Sequence, residues 1–200
     1  MRKIIVITFV SLDGVMQAPG GPREDMSGDF KYGGWIAPYV DDFSGKVMME
    51  QMSVENSELL LGRKTCEIFS GYWPQHVSGW SGINEVKKHV VSHDSSYNPD
   101  WENSVLLPGK IAKKVKKLKS EDRSNLHVWG SSNLIQTLLK HNLVDELWLK
   151  IFPVTFGLGK RLFAEGMVPT AFNLTDRKVS PLGVIIANYT RAGGIQTETF

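Results

Sequence analysis

The sequence begins with an apolar run that is too continuous for a strand at the protein surface. Residues Lys3–Val10 read KIIVITFV, and six of the eight are β-branched. Such side chains favour extended backbone. A strand without polar alternation is covered on both faces, as in the centre of a parallel sheet. The run therefore predicts an α/β protein built around this strand.

The segments that follow alternate between helical and extended patterns. Helical spacing predicts helices over Val40–Ser57, Lys64–Ser70, Pro108–Lys119 and Ser131–His141. Apolar runs predict strands over Glu58–Leu61, His89–Ser92, Ser104–Leu107, His127–Trp129, Val144–Phe152, Phe172–Ser180 and Val184–Arg191, of which Val144–Phe152 alternates as a half-buried strand does. The prediction is one domain over residues 1–200, with three layers. A mixed, mostly parallel central sheet is flanked by helices and ends in an antiparallel hairpin.

Composition excludes several classes of protein. Of the 200 residues 42% are hydrophobic and 22% are charged, which is ordinary for a soluble domain. The single cysteine, Cys66, excludes a disulfide scaffold. No apolar run approaches the ~20 residues of a membrane span, and the N-terminus lacks a secretory pattern, so we expect a cytoplasmic protein without a membrane partner. The five histidines are not at metal-ligand spacing, which predicts no metal.

The net charge of +2 comes from one segment. Residues 110–123 carry six Lys, one Arg, one Glu and one Asp, a local charge of +5, so the other residues together carry −3. A single basic patch argues against nucleic acid as the partner. Binding of nucleic acid through a Lys110–Lys119 helix is kept as an alternative.

Four predicted parallel strands end in short polar turns. These are Ser11-Leu12-Asp13-Gly14, Gly62-Arg63-Lys64-Thr65, Ser92-His93 and Gly130-Ser131-Ser132. The carboxyl ends of parallel strands share one edge of a sheet, where ligands of open α/β sheets bind. The last three turns suit phosphate, because two of them open helices and all offer cations or hydroxyl donors. Three phosphate sites predict NADPH as the cofactor, unless the hydroxyls only cap their helices and the cations are solvated.

The Gly-x-Gly-x-x-Gly fingerprint of an ordinary Rossmann domain is absent. Instead, SLDG after the first strand, LLGRKT at 60–65, VWGS at 128–131 and DELWLKIFPVTFGLGKRLF at 145–163 occur in this order. With these motifs the chain resembles the dihydrofolate reductase-like superfamily. Within it, the chain is most similar to the reductase domain at the C-terminus of the bifunctional riboflavin-biosynthesis deaminase-reductase and to its stand-alone relatives.

The resemblance implies an NADPH-dependent reductase that transfers a hydride to a pyrimidine- or pterin-like heterocycle, as 5-amino-6-(5-phosphoribosylamino)uracil reductase does. In that family pattern Arg63 and Thr65 would hold cofactor phosphates, and Ser92 and His93 would lie beside the adenosine 2′-phosphate. The turn at 130–132 would bind the pyrophosphate. The nicotinamide would be lined by Val10, Ser11, Val15 and Met16, with Trp129 and Phe152 nearby. A dinucleotide-binding protein that has lost catalysis is the alternative.

The substrate pocket is expected between the first turn, the glycine-rich loop at 17–34 and the helix that starts at Val40. Its expected lining is Trp35, Asp42, Phe43 and Phe152, with Asp13 as the nearest carboxylate and candidate catalytic residue. Where folate reductases carry an acidic residue on that helix, this chain has Lys46. Poor turnover of dihydrofolate is therefore expected, unless Asp41 or Asp42 substitutes. A homodimer is also expected, because the apolar run Val184–Ala187 would be a hazard on an open sheet edge.

Overall fold

The computed structural model describes residues 1–199. One eight-stranded sheet runs through it in the order β4-β3-β2-β5-β1-β6-β8-β7. Its strands are β1 (Ile4–Ser11), β2 (Ser57–Gly62), β3 (Lys88–Ser92), β4 (Ser104–Pro108), β5 (Asn125–Trp129), β6 (Glu146–Phe152), β7 (Ala171–Val179) and β8 (Ile185–Gly193). The first six strands pair in parallel, and β8 and β7 pair antiparallel. The predicted fold class is thus confirmed.

Alternate residues of β1 pack on opposite faces of the sheet. Ile4 and Val6 join the cluster that holds α3 (Ile111–Lys119) and α4 (Ser132–Lys140). Ile5 and Ile7 lie on the opposite face, in a cluster that also contains residues of α2 (Arg63–Ser70). A third cluster includes residues of α1 (Asp42–Gln51). The apolar run therefore lies in the middle of three layers, as its lack of polar alternation predicts.

The first helix is shorter than predicted. Asp41 caps α1 by accepting a hydrogen bond from the Ser44 amide, while the Ser44 hydroxyl accepts one from the Asp41 amide. This capping box fixes the start at Asp42, after a 3-10 turn over Ala37–Tyr39. The helix ends at Gln51, before the left-handed residue Asn56 that leads into β2. The predicted start at Val40 and end at Ser57 were both wrong.

Two predictions about strands also require correction. β6 is covered on both faces, because its polar residue Lys150 is as buried as Leu147 and Leu149. β8 lies between β6 and β7, so Val184–Ala187 does not form an open edge, and Ile186 and Ala187 are buried. The edge argument for a homodimer is therefore wrong, and the homodimer itself stays a prediction.

Among residues 1–199 no helix has the length and apolar character needed to cross a bilayer. In the same part of the chain no three His, Cys, Asp or Glu side chains cluster as metal ligands would. The prediction that no metal is bound stays a prediction.

Candidate functional site

A cavity of about 740 Å³ opens beside the carboxyl half of β1. We call it the central cavity. Residues Ile7–Phe9 of β1 line it, together with Met48 of α1 and Met52 directly after α1. Met16 and residues 17–24 of the glycine-rich loop line it as well. Aromatic side chains form much of the remaining wall: Phe69, Tyr72, Trp73, Trp80 and Trp129. A flat apolar ring would fit between such walls.

The starts of α2 and α4 meet at one edge of the central cavity. The Ser131 hydroxyl accepts a hydrogen bond from the Gly62 amide at 2.8 Å and lies 2.6 Å from Oγ1 of Thr65. Because Ser131 makes these bonds, it does not cap α4, and α2 also lacks a side-chain cap. Thr65, Gly130, Ser131 and Ser132 line the cavity here. Two helix N-termini thus present amides beside the cavity, an arrangement suited to an anion.

Close packing explains the glycine at position 62. A Cβ there would lie 2.8 Å from Oγ and 3.0 Å from Cβ of Ser131. Ser131 itself has a left-handed backbone, with φ of 68°. The turns after β2 and β5, distant in sequence, are therefore fitted against each other.

Arg63 and Lys64 lie outside the central cavity, on the exposed surface of the first turn of α2. The Arg63 guanidinium donates to Glu67 at 2.8 Å and to Asp94 at 3.0 Å, and lies 4.5 Å from the centre of the Tyr97 ring. These contacts link the β2 turn to the turn after β3. A phosphate at Arg63 would compete with Asp94.

His93 belongs to a second depression, which we call the basic groove. The groove has a volume of about 790 Å³ and is lined by His93, Gly109, Lys110, Ile111, Ala112, Lys113, Lys116, Thr137, His141 and Leu143. Ser92 is buried beside it, and its hydroxyl accepts a hydrogen bond from the Asp94 amide. In the sequence the lysines of residues 110–119 suggested only an alternative nucleic-acid site. Here three of them surround one depression.

The turn after β1 is tied to the chain around residue 156. Asp13 accepts hydrogen bonds from Ser11 and from the amides of Phe156 and Gly157. Burial alone would raise the pKa of Asp13, but these hydrogen bonds hold it below its ordinary value. The carboxylate is absent from the lining of the central cavity. Its position favours a turn-stabilising role over the predicted catalytic one.

Only one of the four residues expected around the nicotinamide lines the central cavity. Met16 does so, whereas Val10, Ser11 and Val15 are buried in the protein. Ser11 is used in the turn, since its hydroxyl accepts a hydrogen bond from the Val15 amide.

The expected substrate residues also lie outside the cavity lining. Trp35 and Phe152 are buried and pack edge to face, with ring centres 5.3 Å apart. Asp42 and Phe43 are exposed at the start of α1. The chain reaches the cavity only at Met48, almost two turns further along the helix, and at Met52 after its end. The general location of the expected pocket agrees with the cavity, while these four residues do not.

Glu24 and Lys160 line the central cavity and were not identified from sequence. The Glu24 carboxylate accepts hydrogen bonds from the amides of Gly20 and Gly21, at 2.6 and 3.2 Å. Burial raises its pKa in spite of these bonds. The only available signal was that an acid lies within a glycine-rich loop.

A model of the RibD C-terminal domain matches residues 2–187. Two proteins of Bacillus subtilis strain 168, both uncharacterized, are similar over nearly their whole length. YyaP is 25% identical over 190 residues, 92% of this chain and 92% of YyaP. YwjB is 24% identical over 186 residues, 88% of this chain and 91% of YwjB.

Solved structures share the fold at low identity. A protein from Shewanella sp. PV-4, assigned to riboflavin biosynthesis, superposes with a TM-score of 0.69 at 24% identity, over 95% of this chain and 99% of that chain. A pyrimidine reductase-like protein from Corynebacterium diphtheriae gives a TM-score of 0.61 at 13% identity, with coverage of 96% and 92%. Dihydrofolate reductase from Enterococcus faecalis, complexed with NADP(H) and RAB-propyl, gives a TM-score of 0.57 at 17% identity, with coverage of 94% and 96%.

Proposed function

The chain belongs to the RibD C-terminal domain family, and from this premise we propose that it is an NADPH-dependent reductase of a small pyrimidine- or pterin-like heterocycle. The observation that carries the proposal is the meeting of two uncapped helix starts beside an aromatic cavity. The name of the pyrimidine reductase-like neighbour supports the same substrate class.

The described residues fit a dinucleotide with an additional phosphate. The amides and hydroxyls at 130–132, with Thr65, would hold the pyrophosphate. Ser132 at the central cavity and Thr137 at the basic groove are five residues apart on α4, about 7.5 Å along a helix. An extended dinucleotide can span that distance. Its additional phosphate would then lie near His93, Lys110 and Lys113.

When bound, NADPH supplies the hydride, so the protein needs no nucleophile. Its residues would orient the two reacting rings and exclude water. Ile7, Phe9 and Trp129 would contact the nicotinamide, and Met48, Met52 and the aromatic wall would hold the substrate ring. Glycine-rich residues 16–24 would cover both.

Calorimetric titration with NADPH and NADH tests the cofactor. We expect wild type to bind NADPH more tightly than NADH, and a Lys110→Gln, Lys113→Gln variant to lose that preference. Lys117→Gln is the matched control, since Lys117 is exposed on the same helix and outside the basic groove. Absence of NADPH binding at millimolar concentration would refute the proposal.

Oxidation of NADPH with pterin, pyrimidine and quinone acceptors tests the reaction. Binding without turnover of any acceptor would favour the catalytically silent alternative. A gel shift at low salt tests the Lys110–Lys119 helix as a nucleic-acid site. Salt-sensitive binding of DNA or RNA without NADPH binding would favour a nucleic-acid-binding protein over a reductase.

A further inference from the structure

Lys150 is a buried lysine whose amine has no hydrogen-bond partner among residues 1–199. The residue lies on β6, in register with Phe9 of β1 and Ile186 of β8, and is 1% exposed. Its Nζ lies 5.0 Å from the centre of the Trp129 ring and 5.4 Å from that of Phe9. An unpaired amine in such a position costs several kcal/mol relative to an apolar side chain.

Lys88 shows how this fold treats a lysine that serves only the structure. It is 0% exposed, and its Nζ donates to the carbonyl oxygens of Asn84, Val86 and Glu102, at 2.9 to 3.0 Å. All three of its donors are satisfied. The contrast indicates that the Lys150 amine is kept for a partner that is not part of the folded chain.

The neighbours of Lys150 connect it to the central cavity. Phe9 and Trp129, the two rings closest to its amine, both line that cavity. The amine is thus separated from the central cavity by the two rings that it contacts, and a lysine side chain has four rotatable bonds through which it can adjust. The indole N–H groups of Trp80 and Trp129, on the same wall, are also buried without a partner in the described part of the chain.

No acid holds the amine in its charged form. β1, β5 and β8 present Phe9, Trp129 and Ile186 to it. On β1, β5, β6 and β8 the titratable residues of the same sheet face are His127 on β5 and Glu146 on β6, and both contact Trp148. On α1, which packs here through Gln51, the charged residues Lys46 and Glu50 are exposed. Burial is the one cause acting on Lys150, and it lowers the pKa of this amine to about 7.

We propose that Lys150 is the proton donor of the reductase, and that its amine reaches an acceptor oxygen or nitrogen of the substrate beside Phe9 and Trp129. This assignment rests on the proposed function. Because Lys150, Trp80 and Trp129 offer donors, the site selects a flat heterocycle that carries carbonyl or imine acceptors.

The step balances in atoms and electrons. The carbon of a substrate C=O or C=N bond accepts the hydride from NADPH, and the π electron pair moves to the oxygen or nitrogen. That atom takes a proton from the Lys150 ammonium, which becomes an amine and is protonated again from water. The substrate gains two electrons, and the cofactor leaves as NADP⁺. A donor whose pKa is near the working pH is effective in such a transfer.

The test compares wild type with Lys150→Met, using exposed Lys140→Met as the control. We expect Lys150→Met to unfold at the same or a higher temperature and to bind NADPH within about twofold of wild type. Menadione, a flat quinone, is the test acceptor because its carbonyl oxygens can take the same proton as those of a heterocycle, and its reduction by NADPH should be slower by about a hundredfold or more in Lys150→Met. We expect kcat/KM of wild type to fall as the pH rises above about 7, and this dependence to be absent from Lys150→Met. Turnover within about threefold of wild type with an unchanged pH profile would overturn the assignment.

A binding measurement separates this assignment from the proposed function. Lumichrome, a flat fluorescent dione, is titrated into each protein in the presence of NADP⁺. We expect wild type to bind lumichrome more weakly above pH 7, and Lys150→Met to bind it weakly at all pH values. This result supports the role of Lys150 even if wild type fails to oxidise NADPH. Equal binding by both proteins, or no binding by wild type, counts against it.

A second variant covers the case in which Lys150→Met does not fold. In Lys150→Arg the guanidinium stays charged and does not release a proton at neutral pH. We expect it to lose turnover, and retained turnover would overturn the assignment.

Discussion

The hydroxyl of Ser131 lies 2.6 Å from that of Thr65, and the same oxygen accepts a hydrogen bond from the Gly62 amide at 2.8 Å. One side-chain atom thus joins the first turns of two helices that begin about seventy residues apart in sequence. Because both turns line the central cavity, this contact sets the spacing of the two helix starts proposed to hold the pyrophosphate.

Removing that hydroxyl should weaken both the fold and cofactor binding. In Ser131→Ala the Gly62 amide and the Thr65 hydroxyl lose their partner, so we expect the free energy of unfolding to fall by about 1–3 kcal/mol. From the proposed function we also expect Ser131→Ala to bind NADPH more weakly than wild type. Chemical denaturation and calorimetry measure the two effects. Ser132→Ala is the control for stability alone, since Ser132 belongs to the proposed pyrophosphate site, and its unfolding free energy should change by no more than about 0.5 kcal/mol. Equal stability of the two variants would contradict the role of Ser131.

The contact between Arg63 and Asp94 predicts opposite effects of two substitutions on NADPH affinity. Arg63→Ala should weaken binding by at least about 1 kcal/mol, because a hydrogen bond to a charged phosphate is lost. Asp94→Asn should strengthen it, because the carboxylate competes for the guanidinium and repels phosphate. Calorimetry at low salt measures both, with exposed Arg177→Ala as the control. If all three variants bind as wild type does, Arg63 is not a cofactor ligand.

Glu58 connects two buried basic side chains, those of Arg2 and His89, at the opposite end of the sheet. Its carboxylate lies 2.7 Å from a guanidinium nitrogen of Arg2 and 2.6 Å from Nε2 of His89. Burial raises the pKa of Glu58, but the hydrogen bonds from His89 and Arg2 outweigh this and lower it. A carboxylate with a lowered pKa stabilises the fold above its unfolded value of 4.5, and this stabilisation is lost as the pH falls through the folded pKa.

Glu58→Gln should therefore destabilise the protein in a pH-dependent way. At pH 7 the substitution removes the carboxylate nearest to the buried Arg2 charge and leaves the more exposed Glu121, 3.8 Å away, so we expect a cost of about 3 kcal/mol. At about pH 3 wild type has lost much of the same contribution, so the difference between the two proteins should shrink. Urea denaturation at both pH values measures this. Glu50→Gln, at an exposed position on α1, should show no such difference. If the difference in unfolding free energy between wild type and Glu58→Gln is the same at both pH values, the stabilising role of the Glu58 charge is contradicted.

Much of the fold could be predicted because strand and helix patterns in this chain are local. The KIIVITFV run and the turn residues after β2, β3 and β5 were sufficient to predict the central strand and the shared rim. The end of α1 could not be predicted, because apolar residues beyond Gln51 keep a helical spacing that Asn56 and β2 override. The position of β8 inside the sheet depends on long-range pairing, which a sequence pattern does not specify.

The candidate site could be predicted only where it consists of turns. Thr65 and residues 130–132 were predicted because they lie in polar turns that follow predicted strands and open helices, and they line the central cavity. Lys150 was missed because the pattern ELWLKIF predicts a half-buried strand, and the helix and strand that bury its polar face come from distant parts of the chain. Lys110 and Lys113 were not predicted as cofactor-binding residues for a related reason. The basic groove forms only where His93 and α4, which are distant in sequence, lie beside these lysines.

Dihydrofolate should be a poor substrate, because no acid of α1 lines the central cavity. Lys46 is exposed, Asp42 is exposed, and Asp41 is used by the Ser44 amide at the helix start and the Leu182 amide. A folate site that lacks its carboxylate partner loses several orders of magnitude in discrimination. We expect turnover at least about a hundredfold below that of an authentic folate reductase, or about 2.7 kcal/mol.

The loss of NADPH absorbance with saturating dihydrofolate measures this turnover. A rate near about 10 per second, the median for enzymes, would contradict the prediction. Among the acids of residues 1–199, Glu24 is the one that lines the central cavity, so a fast rate would indicate that Glu24 supplies the carboxylate. In that case Glu24→Gln should abolish turnover, whereas Asp42→Asn should not. The two variants thus distinguish a folate site built on the glycine-rich loop from one built on α1.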